Sequence, residues 1–228
     1  MSLVVQDVVD EIRDISPVFD KSRTTDRVLV RHLSTYQQRL VGDVALANPD
    51  LLSRVLATFT QPLQVWPVQI TLPPHIFLRA GTVSFGGEPP DAPVILTTFE
   101  QRFRFPPGYA LYETGNTTAV LAGDLDSVWQ NVTTLTVWGV ALPDPLVQTE
   151  GAMAQTLDAR LPDHVQGAFV AAGAALCAFR AATHPTTPPA ARPDAAFFQQ
   201  NAQAAHDAAI RTMAMMRVFK RMSPADRT

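Results

Sequence analysis

Residues 162–182, PDHVQGAFVAAGAALCAFRAA, and 194–222, DAAFFQQNAQAAHDAAIRTMAMMRVFKRM, read as two alanine-rich helices parted by the helix-breaking tract 183–189, THPTTPP. Helices faced with alanine bury little area each, so they gain stability when other surfaces press closely on them. Gly167, Ala171 and Ala175, four residues apart, form a small-residue face on which another backbone can approach, and this face is assigned to packing between copies of the chain. The second helix carries an apolar stripe at Phe198, Ala202, Ala205, Ala209, Thr212, Met216 and Phe219, widened by Ile210 and Met213. Arg211, Arg217, Lys220 and Arg221 collect toward its end, where cations complement the helix dipole or meet an acidic partner or nearby nucleic acid.

Working outward, the chain has 228 residues, 46% of them hydrophobic, enough for a substantial core. Nineteen prolines against 11 glycines point to many element boundaries and edge strands. Charge is uneven: residues 61–150 carry −5 and residues 195–228 carry +3, within a net charge of −3. The single cysteine, Cys177, excludes an internal disulfide and reads as a buried thiol in a reducing compartment. The start, MSLVVQD, turns acidic before an apolar run forms, against a secretory signal. The apolar run 165–179 is shorter than the roughly 20 residues of a membrane span, so no membrane partner is expected.

At the other end of the chain, Val5, Val8, Val9, Ile12 and Ile15 recur at helical spacing until Ser16-Pro17. Asp7, Glu11 and Asp14 make the opposite face a solvated acidic stripe. Thr25 or Asp26 then caps a helix whose apolar face is Leu29, Leu33, Tyr36, Leu40 and Val44, with His32 as a packed or snorkelling neighbour. Asn48-Pro49 predicts a further helix burying Leu52, Val55, Leu56 and Phe59. From Gln61 the texture becomes that of strands: 65–72, 76–80, 94–105, 109–112, 117–121 and 132–138. With no crossover helices between 61 and 140, an antiparallel sheet or small sandwich is expected. The fold class is therefore α+β: a helical body from residues 1–60 and 151–182, an inserted β-region over 61–150, a Pro-rich hinge at 183–194 and a C-terminal helical arm over 195–228.

No catalytic motif stands out. The histidines, His32, His75, His164, His184 and His206, lack metal-ligand spacing, Ser84 lacks the nucleophile-elbow spacing, and the Gly86-Gly87 pair opens no helix. Glu100, Glu113, Asp124 and Asp126 read as strand and turn acids. No cofactor, metal or enzymatic activity is expected.

The order of elements carries a resemblance. An acidic short helix, the helix DRVLVRHLSTYQQRL at 26–40, a sheet, LPDPL at 142–146, and LPD at 161–163 leading into an alanine-rich helix ending at Arg180 resemble head-tail connector (adaptor) proteins of tailed bacteriophages. The resemblance implies a virion neck protein assembled in the host cytoplasm. It would form a ring of about twelve copies under the portal protein, with a downstream neck or tail protein below and double-stranded DNA passing non-specifically through its channel. The family's C-terminal arm docks on the portal, which places Met213, Met216, Arg217, Phe219, Lys220 and Arg221 at that contact. The alternatives are a stopper or tail-completion protein of the same neck, or an intracellular small-molecule or carbohydrate-binding module using Trp66, Trp129 and Trp138.

Overall fold

The computed structural model describes residues 3–59, 68–84, 92–97, 109–115, 117–123, 134–147 and 152–221. The chain divides into two compact units: residues 1–51 with 143–228, and residues 52–142. The first is helical and the second a sheet, an α+β fold with the strands inserted between helices.

In the helical unit, α1 (Val5–Ile15) buries Val5, Val8, Val9 and Ile12 and ends at Ser16 as its spacing predicts. The Arg13 guanidinium donates to the carbonyls of Phe19 and of Thr24 (2.6 Å) and to the Asp26 carboxylate (2.8 Å). It thereby organises the turn into α2 (Asp26–Ala47). Burial raises the Asp26 carboxyl, but the Lys21 and Arg13 hydrogen bonds and charges outweigh it and hold the group below its ordinary value.

The apolar face of α2 is the expected one, Leu29, Leu33, Tyr36, Leu40 and Val44. Two polar residues are buried beside it. The Ser34 hydroxyl accepts from Leu146 N (3.0 Å), while Gln37 donates to Asp144 O (3.3 Å) and accepts from Asp158 N (2.9 Å). These bonds satisfy backbone groups of the irregular returning segment, which carries few ladder bonds of its own. The strings 26–40 and 142–146 therefore touch in the fold.

The alanine-rich helix α4 (Gln166–Thr183) follows one 3-10 turn at Asp163–Val165. It packs against α1, α2 and α5 (Ala195–Arg221). Ala168, Ala172, Ala174, Ala178 and Ala181 are all buried. The missing volume is supplied by neighbours of the same chain, among them Ile12 of α1 and Leu29 of α2, both fully buried and closing on Gly173. The closest approach is at Gly173, where an added Cβ would lie 2.2 Å from Ile12 Cδ1. Residues 163–183 are long and apolar enough to cross a membrane by length and composition, and 56% of the span's most apolar window is buried inside the fold. Cys177 is buried as expected, and burial pushes its thiol up.

Two expectations about the C-terminal third are corrected here. The tract 183–194 is not a free hinge: Thr187 is buried and accepts from Arg23 Nε (3.0 Å). Helix α5 is part of the helical unit rather than a separate arm. Asp194 caps it by accepting from Ala196 N (3.0 Å) and Phe197 N (3.2 Å), and Phe198 meets Phe19 edge-on at 5.4 Å.

The helix expected from Asn48 to Phe59 is also corrected. Helix α3 stops after one turn (Pro49–Leu52), and Arg54–Phe59 is strand β1. Val55, Leu56 and Phe59 satisfy a helical spacing, but Val, Thr and Phe suit a pleated edge, and β1 finds its ladder on β7 (Thr134–Ala141). The other strands are β2 (Val68–Thr71), β3 (His75–Ser84), β4 (Ala92–Thr97), β5 (Tyr109–Gly115) and β6 (Thr118–Gly123). They form one sheet in the order β1-β7-β3-β4-β5-β6-β2. Its pairings are antiparallel except β4 with β5, which run parallel over Ile95–Thr97 and Ala110–Tyr112. The wholly antiparallel sheet is corrected to that extent. Most of the strand expected at 94–105, with Phe99, Phe103 and Phe105, lies outside the described residues. On β7, Leu135, Val137 and Gly139 are buried and alternate with half-buried Thr134, Thr136 and Trp138.

Candidate functional site

The helical unit holds a cleft of about 300 Å³ between α2, α4 and α5. Its floor is Ala172, Ala175, Leu176 and Phe179 of α4, and its polar groups are His32, Tyr36, Arg39, Gln199, Gln203 and His206. The i, i+4 ladder of α2 puts His32 and Tyr36 one above the other on the side facing α4. Tyr36 stacks edge-on against Phe169 (5.1 Å between centroids) and His206 (5.6 Å).

Tyr36, His206 and Asp43 form a hydrogen-bonded chain. The Tyr36 hydroxyl and His206 Nδ1 are 3.1 Å apart, and His206 Nε2 lies 2.9 Å from Asp43 Oδ2. A carboxylate only accepts, so Nε2 donates to Asp43, and Nδ1 pairs with the Tyr36 hydroxyl. Burial pushes the Tyr36 phenol up to about 12, which keeps the hydroxyl protonated in that pair. His32 is half-buried with Nε2 3.2 Å from Ala172 O. Burial pulls its imidazole down, against the smaller opposing effect of that bond. The geometry suits a polar strut tying α2 to α5. Tyr36→Phe should therefore lower stability by about 1 kcal/mol in urea unfolding, since it leaves His206 Nδ1 without its partner. An unchanged midpoint would show that the bond contributes nothing.

His206 escaped the sequence reading, although it stands four residues after Ala202 and three before Ala209, inside the apolar stripe. Its register is the signal: a histidine on a buried helix face needs partners for both nitrogens. In the stripe itself Ala209 and Met213 are buried, Phe198, Ala202, Ala205, Ile210 and Met216 are half-buried, and Thr212 is exposed.

Of the residues assigned to portal docking, Met213 and Met216 have described side chains. Met213 is fully buried and its carbonyl accepts from Asn48 Nδ2 (3.0 Å), so its place at an outer contact is corrected to the core. Met216 is half-buried; the backbone of 217–221 continues α5, and the side chains of Arg217, Phe219, Lys220 and Arg221 lie outside the described residues. On the small-residue face, Gly167 is exposed with nothing within 4 Å of an added Cβ, and Ala171 is half-buried. Ala175 lines the cleft together with Ala195 and Ala202 of α5, so at that position the expected neighbouring copy is replaced by a helix of the same chain.

In the sheet unit, His75 is buried with Nδ1 2.9 Å from Pro73 O and Nε2 3.1 Å from Glu113 Oε1. Glu100, Asp124, Asp126, Trp66 and Trp129 lie outside the described residues, and Trp138 is half-buried on β7 opposite Val55 and Ala80. Among the described residues no group of three or more His, Cys, Asp or Glu side chains is placed to hold a metal ion. No protein-family model matches the chain, and no match is found among curated proteins.

Proposed function

We propose that the chain is a non-enzymatic assembly protein of the head-tail connector kind. In this reading it is built into the virion neck from the host cytoplasm. It rings the channel for double-stranded DNA below the portal and bears on the next neck or tail protein.

The observation that carries the reading is the outward presentation of large apolar side chains by the α4–α5 pair. Phe179 near the end of α4 is 61% exposed, Phe197 in the first turn of α5 is 54% exposed, and Met215 is 56% exposed. Phe and Met are enriched at protein interfaces, where they anchor in a partner's pockets. His32, Tyr36 and His206 of the neighbouring cleft, by contrast, are bonded to backbone, to one another or to Asp43.

Sedimentation of the full chain with an assembled portal ring tests the proposal. Co-migration at micromolar protein is expected, and the Phe179→Ala/Phe197→Ala/Met215→Ala variant should bind at least about tenfold more weakly. A chain that never co-migrates with the ring would sink the connector reading.

A further inference from the structure

Two exposed helix faces of the helical unit carry opposite charge. Asp7, Asp10, Glu11 and Asp14 are all exposed on α1, opposite its buried Val5, Val8, Val9 and Ile12. On α2, Arg27, Arg31 and Arg39 form an exposed ridge at intervals of four and eight residues, with Thr35 in the gap.

The fold pairs its other cations in this region and leaves Arg27 and Arg31. Arg13 and Lys21 meet Asp26, and Arg23 meets Asp20. Among the described residues Asp10 and Glu11 accept from the neutral amides of Gln6 (2.7 Å) and Gln166 (2.8 Å) and from no cation. Asp7 and Asp14 have no cationic partner among the described residues, nor have Arg27 and Arg31 an anionic one; Arg39, by contrast, pairs with Asp43 (3.6 Å) and donates to Gln203 Oε1 (3.5 Å).

Helix electrostatics accounts for Asp7, which stands in the first turn of α1, but not for Asp14 or Arg27. Asp14 sits in the last turn of α1 and Arg27 in the first turn of α2, each at the helix end whose partial charge matches its own. Each is unfavourable in the single chain and becomes favourable when an opposite charge covers it.

We propose that the acidic face of α1 in one copy docks on the arginine ridge of α2 in a second copy. This inference rests on the assembly reading above and names its inter-copy contact. The dimensions agree: at a rise of about 1.5 Å per residue, Asp7 to Asp14 spans about 10 Å, and Arg27 to Arg39 about 18 Å, so one ridge accommodates the whole acidic face. Because the two faces differ, the contact is head-to-tail; it propagates from copy to copy and closes into a ring if the rotation allows. Exposed charges of this kind give a modest, salt-sensitive attraction, with apolar neighbours such as Ile15, 44% exposed beside Asp14, adding burial.

A charge-swap experiment on the full chain tests it. Variant one is Asp7→Lys/Asp10→Lys/Asp14→Lys, and variant two is Arg27→Glu/Arg31→Glu. Circular dichroism checks that both keep the wild-type helix content, as expected for exposed positions. In sedimentation velocity the wild type should self-associate at low salt and weaken at least about tenfold between about 0.1 M and about 1 M salt. Each variant alone should be monomeric, since both its faces then carry one sign. Mixed in equal amounts, the two should reassemble, because each reversed face meets its complement. Variants that associate like the wild type, or a mixture that fails to reassemble while the wild type does, would overturn this contact and leave the assembly reading to another surface. A monomeric wild type also overturns it. If in that case variant two alone loses affinity for a double-stranded DNA probe, the ridge is a phosphate contact.

Discussion

Gly139→Val is expected to destabilise the sheet unit by about 3 kcal/mol or more, the largest effect of any single substitution there. A Cβ at Gly139 would stand 2.5 Å from Phe77 O, 2.7 Å from Leu56 Cδ1 and 3.2 Å from Leu78 Cα. Two of those atoms are backbone of β3, which cannot rotate aside as a side-chain end can. Strand β7 lies between β1 and β3, with Gly139 opposite Arg54 on one side and Leu78 on the other. Both partner strands are irregular close by, between Val55 and Ala57 and between Leu78 and Ala80. These bulges bend the flanking strands in toward a position with no side chain. Valine's preference for strands, worth at most about 1 kcal/mol, does not offset the overlap. Urea unfolding followed by Trp138 fluorescence, with hydrogen exchange of the β3 and β7 amides, would measure the loss. A variant as stable as the parent would mean that the strands separate freely at this point.

The sheet unit also shows how far a sequence carries a fold. β-branched and aromatic runs bounded by Pro and Gly located most of the described strands. In β7 the alternation of a half-buried strand shows in buried Leu135, Val137 and Gly139. Strand β1 was misread because a six-residue run with Val55, Leu56 and Phe59 fits either period. What decides is the partner, β7, some eighty residues away, and no local pattern encodes it. The parallel pairing of β4 with β5 is likewise a choice between edges that local residues do not express.

In the helical unit, the apolar faces of α1 and α2 were legible except at Ile15, which the end of α1 leaves exposed, since amphipathic spacing is a local property. The alanines of α4 were legible as a demand for close neighbours. The identity of those neighbours was not, because Ile12 and Leu29 satisfy the demand from within the chain as well as another copy would. The polar strut was missed for a related reason. Tyr36, Asp43 and His206 are ordinary residues until α5 folds back along α4 and brings His206 to α2.

That return of α5 sets the last expectation: a chain cut after Arg192 should lose cooperative unfolding of the helical unit, not only an appendage. Met213 and Ala209 are buried by it, and Phe198 covers Phe19. Its removal also strips the Tyr36 hydroxyl of His206 and the Asn48 amide of the Met213 carbonyl. A buried methionine truncated to alanine costs about 2–5 kcal/mol by itself. Each buried polar group left unpaired adds about 1–3 kcal/mol. The sum reaches the whole stability of an ordinary domain, about 5–15 kcal/mol. Calorimetry of the truncated chain should show the helical transition broadened or absent, and a transition at the parent's temperature would show that α5 is dispensable to the core. The consequence for function is direct. Loss of portal docking on deleting α5 would not distinguish a docking helix from a structural one, because the deletion removes part of the core. Substitution of exposed Phe197 and Met215 separates the two, since their side chains contribute little to the interior and their loss should leave the melting transition in place while weakening any partner they touch.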